Sequence, residues 1–150
     1  MCGRKLKANL MKLDQLEDGF SVSPQLQAED FEAIAAAGYK VVINNRPDGE
    51  KHDYMPAAEA AELARSHGLE YHHIPVAPNQ LTEAAIIKFK AVLDTLAGPA
   101  VAHCASGKRS SAMWAICKAG ALEVDHILEQ CGRAGHDLSG LRPMLVRSSV

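Results

Sequence analysis

Two short, wholly apolar runs constrain this chain most: Val41-Val42-Ile43 and Ala100-Val101-Ala102. A run without polar alternates suits a strand buried on both faces. Such strands occur almost only in parallel sheets with helices above and below. The intervening segments fit that arrangement. Ala28 to Ala37 is alanine-rich with Phe31 and Ile34 three apart, and Gly38 follows as a residue able to close a helix. Pro56 to His67 reads as a second helix, with proline in its first turn and Gly68 just past its end. Thr82 can cap a long helix reaching Leu96, with Ile86, Ile87, Phe89, Val92 and Leu93 at helical spacing before the Gly98-Pro99 break. Phe20 to Ser23 reads as a short strand stopped by Pro24, and Leu69 to Val76 as another, closed by Pro75 and Pro78. Ser110 to Ala119 and Val124 to Gln130 look helical. The alternation predicts the α/β class: a single-domain parallel-sheet sandwich flanked by helices, its strand order left open.

A length of 150 residues suits one such domain. We expect it over 11–150, because Met11 opens the patterned part, with residues 1–10 (Arg4, Lys5 and Lys7 among them) as an N-terminal extension. The 16 Lys plus Arg against 18 Asp plus Glu leave a charge of −2, without the basic excess of a nucleic-acid or membrane-surface binder. No apolar stretch reaches the roughly 18 residues of a membrane span, and the first residues lack a secretory apolar core. The cysteines Cys2, Cys104, Cys117 and Cys131 form no C-x-x-C pair, so reduced thiols in a cytoplasmic setting are expected. His72 and His73 are adjacent on a strand and point to opposite faces, while His52, His67, His126 and His136 lack ligand spacing. No metal or other cofactor is expected.

The chemistry concentrates in His103-Cys104-Ala105-Ser106-Gly107-Lys108-Arg109-Ser110, between a buried strand and a helix. That is the carboxyl edge, where open α/β sheets place their sites. A helix starting near Ser110 aims unpaired N–H groups and its positive dipole end at the loop. Gly107 allows a left-handed backbone, so the N–H groups of Ala105 to Lys108 can converge on one centre. A thiol at that centre, Cys104, should ionise readily, and the thiolate is the reactive form. Arg109 offers a planar fork able to hold an oxyanion at two points. Ser110 could hydrogen-bond the sulfur, and Lys108 would act as a steering charge. His103, facing away from Cys104, would brace the loop. Arg46, in the turn after Val41-Val-Ile43, either lines the same pocket or pairs with Asp48 or Glu50. The remaining cysteines, Cys117 and Cys131, and the pair Met113 and Trp114 read as packing residues. The stretch from Gly140 to Val146 either packs on the core or serves a partner.

The loop resembles those of Cys-dependent phosphatases and of rhodaneses. Together with Phe20-Ser-Val-Ser-Pro-Gln25, Val41-Val-Ile-Asn-Asn-Arg-Pro-Asp-Gly-Glu50, His73-Ile-Pro-Val76 and Arg109-Ser-Ser-Ala-Met-Trp114, it resembles the bacterial beta-lactamase-hydrolase-like, protein-phosphatase-like domain. The likeness runs from Met11 to Gly135. It implies a fold similar to tyrosine and dual-specificity phosphatases. Because some members of that family are fused to persulfide dioxygenases, it also implies a functional link to such an enzyme and to sulfide metabolism.

Two departures from the phosphatase pattern bear on substrate. Cys104 and Arg109 are separated by four residues, where phosphatases of this fold have five and rhodanese-like enzymes four. One residue fewer removes up to about 3.5 Å of chain from the ring, which crowds a phosphoryl group but suits a single sulfur. The segment where phosphatases carry a general acid reads Ala77-Pro78-Asn79-Gln80, with Asn79 or Gln80 able to reach the pocket but no acid. Asp53, Glu50 or Glu83 would have to substitute. Proton donation is worth about 10²–10⁴ in rate to an alkoxide leaving group, whereas sulfite leaves without it. The expectation is therefore a sulfurtransferase that moves sulfane sulfur from thiosulfate or a persulfide, through a Cys104 persulfide, to a thiol such as glutathione or to cyanide. The alternatives are a phosphatase acting on a phosphoester through a phosphorylated Cys104, and a non-catalytic module sensing oxyanions or persulfides.

Overall fold

The computed structural model describes residues 12–149; the extension expected over 1–10, with Cys2, lies outside them. Five strands form one sheet: β1 (Asp14–Glu17), β2 (Phe20–Ser23), β3 (Val41–Asn44), β4 (Glu70–His73) and β5 (Ala100–His103), in the order β1-β2-β5-β3-β4. All adjacent pairs are parallel except β1 with β2. The expected wholly parallel sheet thus gains an antiparallel edge. The sequence reading passes over β1 because Asp14-Gln-Leu-Glu is polar, and Leu16 is its one fully buried side chain. The strand expected over Leu69 to Val76 is shorter, since Pro75 has no amide to give. The amides of Ile74 and Val76 still reach the carbonyls of Asn44 and Asn45, each at 2.9 Å.

Among the described residues, six helices cover the sheet: α1 (Ala28–Ala36), α2 (Ala57–Ser66), α3 (Glu83–Asp94), α4 (Lys108–Lys118), α5 (Val124–Arg133) and α6 (Arg142–Ser148), with a 3₁₀ turn at Ser139–Leu141. Strand alternation assigns the faces. Val42 and Val101 join Phe31, Ile34, Ala60 and Ala64 beneath α1 and α2. Val41, Ile43, Ala100 and Ala102 join Phe89, Met113, Trp114, Ile127 and Leu145 beneath α3 to α6. There Phe20 lies edge-on to Phe89 (6.1 Å between centroids) and stacks on Trp114 (6.4 Å). Thr82 caps α3 by accepting the Ala85 N–H at 3.2 Å, as its position predicts. Leu145 is fully buried, so the segment after Gly140 packs on the core. Cys117 and Cys131 are packing residues: burial pushes their thiols up to about 11 and about 12, away from reactivity at neutral pH. No helix among the described residues is long and apolar enough to cross a membrane.

Candidate active site

Register brings the carboxyl ends of four strands level. His103 on central β5 stands beside Ser23 of β2 and Asn44 of β3, and Asn44 beside His73 of β4. The chain segments that leave these residues, from Pro24, Asn45, Ile74 and Cys104, therefore rise from one edge and meet. Buried polar groups lock the assembly. Asn45 is fully buried; its amide donates to the His103 carbonyl (2.7 Å) and its Nδ2 to the Ile74 carbonyl (2.9 Å). The loop after β5 is tied to the one after β2 by the Gln25 amide, which donates to the Ala105 carbonyl at 3.1 Å.

Cys104 is fully buried yet belongs to neither apolar cluster. Its Sγ accepts the Gly107 N–H at 3.1 Å. Gly107 takes the left-handed conformation (φ 98°) that its residue type permits, and stands as the cap of α4, so the sulfur faces the helix N-terminus. A Cβ there would also lie 3.0 Å from His136 Nε2. Ser106 Oγ accepts the Lys108 N–H (3.3 Å), and Lys108 is exposed, as expected of a steering charge. Ser110 corrects the expectation of a hydrogen bond to sulfur: its hydroxyl donates instead to Asn45 Oδ1 at 2.8 Å, bracing the loop from beneath. Helical phase explains this. One residue past Arg109, Ser110 points inward and is fully buried.

The guanidinium of Arg109 is already engaged. Its Nη1 donates to Glu50 Oε2 (2.7 Å) and to the Val76 carbonyl (2.8 Å), and its Nη2 to Glu50 Oε1 (3.1 Å). Of its two expected readings Arg46 takes the ion pair; it is not among the residues that line the cavity beside the loop. It pairs with Glu50 (Nε to Oε1, 2.9 Å), and through Glu50 it joins the Arg109 cluster. It also stacks on the Tyr54 ring at 3.8 Å and donates to Gln25 Oε1 at 3.1 Å. The two arginines, Arg109 foremost, hold the Glu50 carboxyl below its ordinary range against the opposing effect of burial. Glu50 is therefore ionised and no substitute acid; it is the pin of the arginine pair. Conversely Glu50 holds Arg109 above its usual range against burial, and the nearby Cys104 sulfur adds to the effect. The sequence reading offers Glu50 as a spare acid or a partner of Arg46, but not as a bridge to Arg109, because that contact spans 59 residues.

His103 is fully buried, and burial is the main reason its imidazole is lowered to about 4, with the charges of Arg46 and His73 adding to that and a long contact to the Cys104 carbonyl opposing it. It is neutral at pH 7, consistent with a bracing residue. Unfolded, it protonates near 6.5, so the folded state loses stability as pH falls from about 6.5 to about 4, by about 3 kcal/mol in total. Chemical denaturation across that range should show this loss, and His103→Asn should flatten it; equal pH slopes would contradict it.

Beside the loop opens a cavity of about 660 Å³, lined in part by Ser106, Lys108 and Arg109. Asn79, whose backbone is left-handed (φ 61°), lines it with Pro78, so the segment expected to fold over the pocket reaches it. The wall's one carboxylate is Asp137; Asp53 and Glu83 are not among its lining residues. Leu141 and Met144 also line it, so the stretch expected to pack on the core or to serve a partner also reaches the cavity. Among the described residues, no group of three or more His, Cys, Asp or Glu side chains is placed to hold a metal.

A thiol cupped by a strand-to-helix turn at the carboxyl edge of a parallel-dominated sheet defines a cysteine-phosphatase-like domain. Within that class the chain belongs to the family of the beta-lactamase hydrolase-like protein, phosphatase-like domain, whose family model matches residues 12–121. It is 33% identical over 144 residues to a beta-lactamase hydrolase-like protein of Xylella fastidiosa, covering 93% of this chain and 33% of that protein. A namesake from Agrobacterium fabrum is 30% identical over 142 residues, with the same coverage. The chain thus spans a third of these relatives' length. Among solved structures, a candidate phosphatase from Neisseria meningitidis is 29% identical with a TM-score of 0.79, covering 89% of this chain and 96% of that one. Tk-PTP in its active form, 13% identical over 91% of this chain and 95% of its own, has a TM-score of 0.72 and shares the fold.

Proposed function

We propose that this domain hydrolyses a phosphomonoester through a covalent intermediate on Cys104. The observation that carries this reading is the sulfur under the Gly107 amide, next to an arginine-flanked cavity sized for an organic ligand rather than a bare inorganic anion. The Cys104 thiolate attacks phosphorus. An S–P bond forms, the ester P–O bond breaks, and its electron pair leaves on the alcohol oxygen. Water then adds to phosphorus, the S–P bond breaks, Cys104 departs as thiolate and phosphate leaves as its dihydrogen anion. Loop amides and the outer edge of Arg109 balance the charge that builds on the phosphoryl oxygens. Since the sulfur is fully covered at rest, binding includes a small outward movement of the groups over it.

Sulfane-sulfur transfer from thiosulfate or a persulfide is the second reading, favoured by the four-residue spacing of Cys104 and Arg109 and by the absence of an acid in 77–80. Steady-state turnover separates the two. The phosphoester reading expects turnover of an aryl phosphate well above that of thiosulfate with cyanide or glutathione; the reverse order would replace it. A link to a persulfide dioxygenase belongs to the second reading, and a sensor module would turn over neither substrate.

Glu50 serves in either chemistry as a positioning residue. Glu50→Gln removes a negative charge beside the anion site but loosens Arg109, so KM should fall while kcat drops about tenfold. Parallel changes in KM and kcat, or none, would contradict that role.

A further inference from the structure

His136 stands against the nucleophile loop from outside the stretch 12–121 that the family model matches, and neither chemistry above gives it a role. It follows the end of α5, where Gly135 turns left-handed (φ 93°) and the His136 amide donates to the Cys131 carbonyl at 2.9 Å. That turn brings the imidazole to Gly107: a Cβ at 107 would lie 3.0 Å from Nε2 and 3.4 Å from Cε1. Glycine at 107 therefore does two things. It takes the left-handed backbone, and it leaves room for an imidazole against the residue whose amide reaches Cys104 Sγ at 3.1 Å. With ordinary backbone dimensions, those two contacts place Nε2 within about 9 Å of the sulfur.

The charges around the ring come from three elements. Lys12 and Asp14, paired at 3.6 Å, lie at the start of β1, and Lys108 opens α4. Asp137, next in the chain, accepts the Ser139 amide at 3.0 Å and lies within charge range of Lys108. Burial is the main reason the imidazole gives up its proton more readily than usual; Asp14 opposes this, and Lys12 and Lys108 add to it. Its ring nitrogens have no hydrogen-bond partner among the described residues. His136 is thus neutral at pH 7, and a dianion in the loop would bring it the negative charge that a proton there lacks.

We propose that His136 takes up a proton when an anion fills the Cys104 loop, adding a positive charge beside Gly107 to the loop amides and Arg109. The coupling is reciprocal: the anion favours the proton and the proton favours the anion. Anion affinity therefore strengthens as pH falls from the His136 midpoint of the filled loop to that of the free loop, and levels off below it. The inference rests on the loop being an anion site, which the phosphoester and sulfane-sulfur readings share.

Calorimetry of sulfate binding to the Cys104→Ser protein tests it, because sulfate stays a dianion throughout and serine removes the thiol's own proton. At about pH 6, titrations in buffers of different ionisation enthalpy should show about 0.3 to 0.5 proton taken up per sulfate, and His136→Gln should lower this below about 0.1. Sulfate should also move the His136 midpoint, read from its ring proton resonance, up by about one pH unit. The resonance needs no change at 136, so it decides the matter if His136→Gln fails to fold.

Sulfate binding without proton exchange, an uptake that survives His136→Gln, or a midpoint that sulfate leaves in place would overturn the inference while the loop's anion binding stands. No sulfate binding at all would remove both the inference and the anion-site reading beneath it.

Discussion

Cys104→Ser should lower kcat by about four orders of magnitude or more on an aryl phosphate, while the protein keeps its fold and its affinity for the anion. The substitution exchanges one atom. Serine at 104 can still accept the Gly107 N–H that now reaches Sγ at 3.1 Å, and α4 keeps its start at Lys108. What disappears is the nucleophile, because a hydroxyl lacks both the ready ionisation and the polarisability of a thiol. His103 does not stand ready to activate it: it is neutral but faces away along β5, and its ring meets the Cys104 carbonyl, not the side chain. Steady-state kinetics beside calorimetric anion binding would check the prediction. Residual turnover within tenfold of the parent would mean that another group performs the attack.

Arg109→Lys should cost about 10²–10³ in kcat despite retaining the charge. The guanidinium spans two oxygens of Glu50 and the Val76 carbonyl with separate N–H groups, which fixes its plane beside the sulfur. An ammonium is a single point on a flexible stem and cannot hold that plane. It would collapse onto Glu50 and withdraw from the cup. The side chain is 14% exposed at the ion pair, so the rearrangement takes place partly away from solvent, where misplacing a charge is costly. Kinetics of the lysine variant, beside a thermal melt showing it folded, would check this. A loss under about threefold would place Arg109 outside the reacting centre.

Much of the framework was legible because local pattern and burial coincide. Val41 to Ile43 and Ala100 to Ala102 are buried on both faces, and the Gly107 turn takes the conformation its residue type suggested. The edge strand was not legible, since one buried leucine in a polar tetrapeptide carries no period. Within the site, the loop residues could be named but their partners could not. Ser110 turns to Asn45 rather than to sulfur, and Arg109 to Glu50, through contacts 65 and 59 residues apart in the chain. Such pairings arise only once the sheet order brings β3 beside β5. The cavity lining from Leu141 and Met144 was not legible for the same reason: the stretch from Gly140 to Val146 was expected to pack on the core or serve a partner, not to return to the loop.

The most direct measurement is the mass of the Cys104 peptide after rapid acid quench of the enzyme mixed with an aryl phosphate, and in parallel with thiosulfate. A phosphoryl group on Cys104 in the first sample, formed and lost at rates that match turnover, is the predicted result. An unmodified Cys104 during phosphoester turnover, or a single added sulfur from thiosulfate with no phosphoryl adduct, would contradict it.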